Sequence, residues 1–262
     1  MVESPLQSMH PIMRALIVRL IALAVFASAP LAAQQAAPQA PDARAIVARH
    51  IEAIGGAKSL ASVTSMRASG ALSMPAQGIT GTVEISASRP NKTLLKAEIA
   101  GIGKLESAFD GERAWTVDPI TGPMLLTGKQ LDQARFDAAF DSTFLDPARY
   151  TSLTAAGVAT FDGRKAYRID AVNALGDKST EYFDVETGLH AGTVSTRETP
   201  MGPIEVTAYM RDYRKAGESL QPHELVQTMM GVEQVIKLQQ IEFNTVAPGA
   251  FVMPPAVKAL IK

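Results

Sequence analysis

Apolar and polar residues alternate along most of this chain, and that alternation constrains its fold more than any other feature. The first clear runs are residues 66–74 and 79–87, in which every second residue is apolar or glycine. Because successive side chains of a β-strand point to opposite faces, each run predicts a strand with one apolar and one polar face. Comparable runs recur to residue 243, so the sequence predicts a large, curved antiparallel sheet.

A Phe-Asp-Gly segment marks two of the expected turns, at residues 109–111 and again at 161–163. Asp-Gly pairs accept the positive φ angles of tight hairpins, and alternating residues follow both copies. Each copy also leads to an Asp-x-x-Thr-Gly stretch, at 118–122 and 184–188. Two copies are too few for a solenoid or propeller. They predict hairpins within one sheet and carry no catalytic chemistry.

The N-terminal segment has the pattern of a secretory signal peptide. Arg14 and Arg19 precede an apolar run, Leu20 to Ala29, that ends in small residues. The run is about half of the ~20 residues that a membrane-spanning helix needs. We therefore predict a signal peptide over residues 1–33, cleaved after Ala33, and no transmembrane segment in the mature chain.

The remaining chain is expected to be a soluble periplasmic protein. Residues 34–42, rich in Gln, Ala and Pro, predict a flexible spacer, and residues 43–262 a single domain. The chain has no Cys, which excludes disulfides, thiolate metal sites and a lipid-modified cysteine. Its net charge is −1 without any basic cluster, so nucleic acid is not an expected partner.

Two helices are expected to interrupt the strands. Asp42 is a good N-cap for a helix over 43–54 that Gly55-Gly56 ends. His50 falls in the apolar stripe of this helix, where a structural histidine is more common than a ligand or a base.

The second expected helix, at residues 129–141, has two apolar flanks. Leu131, Ala134 and Ala138 lie on one side of it, and Phe136 and Phe140 nearly opposite. A surface helix needs one stripe, so this helix is expected to be clasped by the sheet or to lie under a lid. The alternative is a short helix wedged between the sheet and a neighbouring loop.

Signatures of catalysis are missing from the sequence. It contains no His-Glu-x-x-His and no Gly-x-Ser-x-Gly, and neither Gly-Lys pair is followed by the Ser or Thr of a phosphate loop. We therefore predict a protein that is not an enzyme and that has no cofactor and no metal. His190 and His223 are expected at strand edges or turns, contacting solvent or backbone. Trp115 is expected either in the core or at the rim of an apolar pocket.

Several stretches together resemble the periplasmic lipoprotein-sorting family, the carriers of the LolA, LolB and RseB type. The match rests on a helix that ends in Gly-Gly, on the two Phe-Asp-Gly hairpins, and on the pattern of the C-terminal strands. The segments that carry it are 45–56, 109–119, 182–189, 221–223, and 241–244 with the tail from Phe251 to Pro254.

The resemblance implies an α+β, mostly β fold. Its main element would be a strongly curved antiparallel sheet of roughly eleven strands, forming a half-open β-barrel with covering helices. Family members hold the acyl chains of a lipoprotein in an apolar cavity of this barrel, which implies lipid binding and lipoprotein transport in outer membrane biogenesis. The best-known carriers latch their lid with an arginine, for which this sequence shows no counterpart.

The leading hypothesis is a periplasmic carrier whose partner is an acyl chain, a lipoprotein or a similar apolar ligand. The many methionines of the chain suit either a cavity that binds a variable apolar ligand or an irregular core. A second hypothesis is a sensor or interaction module with a filled core that docks an envelope protein; an enzyme on this scaffold is a third. The residues expected to line the apolar cavity are Ile79, Val83, Ile85, Leu95, Ile99, Trp115, Ile204, Val206 and Met210, with Phe136 and Phe140 as the lid.

The signal-peptide prediction can be tested on exported protein. N-terminal mass spectrometry should find Gln34 as the first residue, because the cleavage site follows the small residues at the end of the apolar run. A mature chain that still carries the apolar run would contradict it.

Overall fold

The computed structural model describes residues 41–141, 144–199 and 202–261. The predicted signal peptide and residues 34–40 of the predicted spacer lie outside these ranges. The described chain is mostly β, with thirteen strands in one antiparallel sheet. The strands are β1 Ser65–Met74, β2 Ile79–Ser88, β3 Lys92–Ile99, β4 Gly103–Phe109, β5 Ala114–Asp118, β6 Gly122–Leu125, β7 Tyr150–Phe161, β8 Arg164–Asn173, β9 Lys178–Asp184, β10 His190–Thr199, β11 Gly202–Ala216, β12 Ser219–Met229 and β13 Val232–Phe243.

The sheet consists of two meanders that meet at its centre. Its order is β6-β5-β4-β3-β2-β1-β13-β12-β11-β10-β9-β8-β7. The first and last strands therefore pair with each other, with Met66 opposite Phe243 and Leu72 opposite Ile236. The edges are β6 and β7, so the sheet is open.

The Asp-Gly segments form the predicted hairpin turns. Between β7 and β8, Asp162 and Gly163 have φ values of 50° and 74°, and Phe161 pairs with Arg164 across this two-residue turn. Between β4 and β5, Asp110 Oδ1 accepts hydrogen bonds from the backbone N–H groups of the two residues that follow Gly111, at 2.9 and 2.7 Å. Side-chain acceptance of this kind stabilises a turn locally.

The sequence pattern misses strand β7, and the sheet has more strands than the roughly eleven that the resemblance implies. The register of β7 against β8 shifts between Ala155 and Val158, at a bulge where Gly157 has a φ of 92°. A bulge moves the following side chains to the other face, so the period-two pattern breaks within the strand. Its small residues weaken the pattern further.

Helices cover part of the sheet. Helix α1, Ala43–Ala53, starts as predicted at Asp42, whose Oδ1 accepts a 2.7 Å hydrogen bond from the Arg44 N–H, and it ends before Gly55-Gly56. The other helices are α2 Gly56–Ala61, α3 Gly128–Asp137 and α4 Pro255–Lys258. The sequence does not predict α2. Across the described ranges, no helix is both long and apolar enough to cross a membrane.

The two faces of the sheet carry separate cores. We define the inner face as the one that bears Met66, Ile85 and Thr193, and the outer face as the opposite one. At one end of the inner face, Leu72, Val83, Ala97 and Ile99 form a buried cluster with their neighbours. On the outer face, Trp115 packs in a cluster with Leu94, Ala108 and residues of the C-terminal tail.

Gly70 permits the close contact between the two central strands. A Cβ atom there would lie 2.0 Å from the Lys237 carbonyl oxygen, beside the register shift between Ser69 and Gly70. We expect Gly70→Ala to lower the free energy of unfolding by about 1–3 kcal/mol, as overpacking does. Denaturant unfolding followed by circular dichroism measures the change.

Gly249→Ala is the matched control, because a Cβ at Gly249 would meet nothing within 4 Å. It should change the free energy of unfolding little. Equal stability of the two variants would show that the central contact tolerates a side chain.

Candidate functional site

We define the α3 segment as residues 128–141, which are helix α3 and the four residues that follow it. A cavity of about 590 Å³ lies between the inner face of the sheet, α1, α2 and the α3 segment. One of its walls is apolar and includes Leu60, Met66, Ile85, Ala87 and Phe243. Another wall, on β9 and β10, is polar and includes Ser179, Glu181, His190, Thr193 and Ser195. The space is therefore amphipathic rather than uniformly apolar.

Four of the eleven residues that the sequence assigns to an apolar cavity line this space. They are Ile85, Met210, Phe136 and Phe140. Phe136 and Phe140 contribute aromatic surface from the α3 segment, and Ile85 and Met210 from two strands.

The other seven residues do not line the cavity. Six lie elsewhere on the inner face, either in the buried cluster around Leu72 or along β11. They are Ile79, Val83, Leu95 and Ile99 in the cluster, and Ile204 and Val206 on β11. The seventh, Trp115, is on the outer face, where it is fully buried and its Nε1 donates a 2.9 Å hydrogen bond to Glu106 Oε1. Alternation within a strand gives the face but not the depth of a side chain, which explains the position of the six residues on the inner face. Trp115 takes the first of its two expected places, the core.

The α3 segment uses its two apolar flanks for different contacts. Leu131, Ala134 and Ala138 pack against Phe109 and Ala114 at the start of the β4–β5 hairpin. Phe136 and Phe140, on the other flank, face the cavity. The α3 segment thus lies between the sheet and the cavity, which corresponds to the first of the two expected arrangements. The helix itself ends at Asp137, before the predicted residue 141.

Polar contacts tie the N-terminal part of α3 to β10. Lys129 Nζ lies 2.6 Å from Glu198 Oε1, and Gln133 Oε1 accepts a 3.1 Å hydrogen bond from the Glu198 N–H. Asp137, at the end of α3, forms an ion pair with Arg197. These pairs hold α3 over the polar side of the cavity.

Arg89 connects the C-terminal end of the α3 segment to the chain that precedes β1. No pattern in the sequence predicts this role. Its Nε donates a 2.7 Å hydrogen bond to the Val63 carbonyl, and its guanidinium forms an ion pair with Asp141. It also lies 5.0 Å from the centre of the Phe140 ring. Phe140 and Asp141 are therefore held in place by one arginine.

Ser179, Glu181 and His190 form a polar cluster on the inner face that the sequence does not predict. Glu181 accepts a 2.7 Å hydrogen bond at Oε1 from Ser179 Oγ, and its Oε2 lies 3.0 Å from His190 Nε2. Glu181 and His190 are only 6% and 7% exposed. His190 is the first residue of its strand, in line with the expected strand edge or turn. The expected contact of its side chain with solvent or backbone is wrong, because the buried imidazole contacts Glu181. Ser179 lies two positions before Glu181, and His190 lies on the next strand, so no local sequence pattern shows that the three side chains meet.

His50 supports this cluster from α1. Its Nδ1 accepts a 3.2 Å hydrogen bond from the His190 backbone N–H, and its ring packs edge-on against Phe183 and Phe144. Burial lowers the pKa of His50, and the neighbouring His190 lowers it further, to about 3. A hydrogen bond to the Gly188 backbone favours the charged form and opposes part of this shift. The imidazole is therefore neutral in the folded protein at neutral pH. Its contacts are those of a structural residue.

The order of the cluster does not suit nucleophilic catalysis. A serine nucleophile needs a histidine as its base, and the carboxylate orients that histidine. Here Ser179 donates to Glu181 instead, so the carboxylate separates the hydroxyl from the imidazole. Within residues 41–141, 144–199 and 202–261, no group of three or more His, Asp or Glu side chains is arranged to hold a metal ion.

The depressed pKa of His50 predicts a loss of stability in acid. Below about pH 6.5 the unfolded chain binds a proton at this residue and the folded chain does not, so the free energy of unfolding falls with pH down to about pH 3. At pH 5 the loss due to His50 should be about 2 kcal/mol relative to pH 7. Urea unfolding of the wild type and of His50→Gln at both pH values measures it.

His223→Gln serves as the control, because His223 is also buried but lies in β12. That variant should keep the acid loss due to His50, and His50→Gln should lack it. The prediction would be wrong if His50→Gln and the wild type lost the same free energy of unfolding.

Solved structures have a similar fold, although no protein-family model matches the sequence and no curated protein matches it significantly. A LolA superfamily protein from Nitrosomonas europaea has a TM-score of 0.54 and 12% identity, over 82% of this chain and 99% of that one. A DUF1329 family protein from Desulfovibrio piger has a TM-score of 0.54 and 9% identity, over 82% and 98%. A domain named for outer membrane lipoprotein sorting, from Vibrio parahaemolyticus, has a TM-score of 0.51 and 11% identity, over 80% and 95%.

These likenesses confirm the resemblance that the hairpin segments predict. Identities of 9–12% show a shared fold and nothing finer. The described chain has the fold of the LolA superfamily and of lipoprotein-sorting domains.

Proposed function

We propose that this protein is a periplasmic carrier that binds an acyl chain, or a similar elongated apolar ligand, in the cavity beneath α3. The observation that carries the proposal is the cavity itself, about 590 Å³ between the sheet and the Phe136–Phe140 flank of the α3 segment. The proposal includes export by the predicted signal peptide and binding without catalysis.

The size of the cavity suits a single acyl chain. Ligand sites in proteins typically measure roughly 300–1,000 Å³. Burial of a methylene group contributes about 0.8 kcal/mol, so ten buried methylenes contribute about 8 kcal/mol before the cost of association. An apolar wall can therefore bind a chain of this length without any reacting group.

We propose further that the sheet curves around the ligand as a half-open barrel. Helix α3 has ten residues and is therefore about 15 Å long. It contacts both β5 and β10, which are eight interstrand steps apart. In a flat sheet these strands would be about 38 Å apart, at ~4.8 Å per step. The contacts of α3 with both strands support a curved wall.

The contacts of α3 suit a lid. The Arg89 ion pair with Asp141 and the Arg197 ion pair with Asp137 border the cavity, and their side chains are partly exposed. Partly exposed pairs of this kind contribute little stability each, so they can break when a ligand enters. The apolar Leu131 flank keeps the helix attached to the sheet meanwhile.

The likeness to a LolA superfamily protein and to a lipoprotein-sorting domain is consistent with this carrier role. The interaction module with a filled core is the weaker alternative, because a cavity remains on the inner face between the cluster around Leu72 and the cluster of Ile169 and Phe183 with α1. An enzyme is weaker still, because Ser179, Glu181 and His190 are in an unsuitable order for acyl transfer.

A fluorescent fatty acid should bind the mature protein saturably, with one site per chain. Met210 lines the cavity, so Met210→Trp should fill part of it and weaken binding about ten-fold or more. Fluorescence titration of both proteins measures the dissociation constants.

Met124→Trp is the matched control, since Met124 lies on the edge strand β6 and is 38% exposed. It should bind as the wild type does. Lack of saturable binding to the wild type would refute the carrier proposal, and equal weakening by both variants would refute the location.

A further inference from the structure

We infer that the polar wall on β9 and β10 is a headgroup site, and that the ligand is a single-chain amphiphile whose head donates hydrogen bonds and is uncharged or cationic. This inference rests on the proposed carrier function and names the class of ligand. The tail would lie along the apolar wall at Met66, Ile85 and Phe243, and the head against Glu181.

Glu181 is the centre of the proposed headgroup site. It lies on the inner face of β9, with only 6% of its surface exposed, and it borders the cavity. Ser179 Oγ contacts one carboxylate oxygen at 2.7 Å and His190 Nε2 the other at 3.0 Å. Each oxygen accepts more than one hydrogen bond when ionised, so the group has acceptor capacity beyond these two contacts.

Thr193 adds a hydroxyl beside the carboxylate. It is opposite Glu181 in the β9–β10 register, so the two side chains share the inner face. Its Oγ1 is buried and has no hydrogen-bond partner among the described residues. A buried hydroxyl without a partner is costly, and a small shift toward a bound polar head would satisfy it.

The charges around the cavity leave Glu181 without a strong cation. Asp137 is paired with Arg197, Asp141 with Arg89, and Asp177 lies 3.7 Å from Lys129. Lys178 also borders the cavity, but it is exposed at the first position of β9. Within the part of the chain that the structure describes, the imidazole of His190 is the ionisable group paired with Glu181.

This balance of charges selects the head. A buried carboxylate repels an anionic head placed beside it, and the low dielectric constant of a cavity strengthens that repulsion. Hydroxyl and ammonium groups instead donate hydrogen bonds to a carboxylate, and charge-assisted bonds of this kind are the stronger ones. A monoacylglycerol and a long-chain alkylamine both fit this site; a fatty acid of the same length fits it less well.

Competition among ligands with equal tails tests the inference on the wild-type protein. A bound fluorescent fatty acid is displaced at pH 7 by a monoacylglycerol, an alkylamine or a free fatty acid, each with a twelve-carbon chain. The first two should displace it at concentrations about ten-fold lower than the fatty acid does. Comparison of the two separates a hydroxyl head from an ammonium head.

Equal or tighter binding of the free fatty acid would overturn the headgroup inference and leave the carrier proposal standing. Failure of the fluorescent probe and of every competitor to bind would overturn both. The two failures are thus distinguishable.

Glu181→Gln tests the role of the carboxylate directly. The amide keeps the shape and one acceptor but loses the charge, so alkylamine binding should weaken about ten-fold while fatty acid binding tightens. Glu205→Gln, on an exposed position of β11, is the matched control and should change neither. Unchanged selectivity in a folded Glu181→Gln protein would refute the inference, and the wild-type competition decides it if that variant does not fold.

Discussion

The pairing of the first strand with the last is the constraint on which the rest of the structure depends. β1 and β13 are joined across the whole chain, and each carries a meander of strands on its other side. Their contact is close enough that a Cβ at Gly70 would collide with the Lys237 carbonyl oxygen. Without this pairing the two meanders would be separate sheets, and no common inner face would connect Met66 and Ile85 with Glu181.

The connection between the two meanders makes the site. The chain leaves β6 at one edge of the sheet, forms α3, and enters β7 at the other edge. Its Leu131 flank packs onto the first meander, and Lys129 and Asp137 form ion pairs with the second. The space that remains between Phe136, Phe140 and the inner face is the cavity. The topology thus creates the cavity, because the α3 segment that covers it is also the connection between the two meanders.

Local chemistry accounts for what the sequence reveals and what it does not. The alternation places Val83, Ile85 and Met210 on the correct face, and Asp42 predicts the start of α1, because each signal lies within a few residues. Strand β7 is not predicted, because the bulge at Gly157 interrupts this local alternation. Arg89 and the pair of Glu181 with His190 depend on contacts between distant segments, so only the folded chain shows them. Which inward-facing residues line the cavity likewise depends on how distant segments pack, so the sequence does not show it.

The central claim is that a single amphiphilic chain occupies the cavity beneath α3. Native mass spectrometry of mature protein purified from the cell envelope tests it most directly, since it preserves and weighs a bound ligand. We predict a protein mass with one additional lipid-sized molecule per chain, which dissociates on collisional activation. A spectrum that shows only the bare protein, both as purified and after incubation with a monoacylglycerol, would contradict the account.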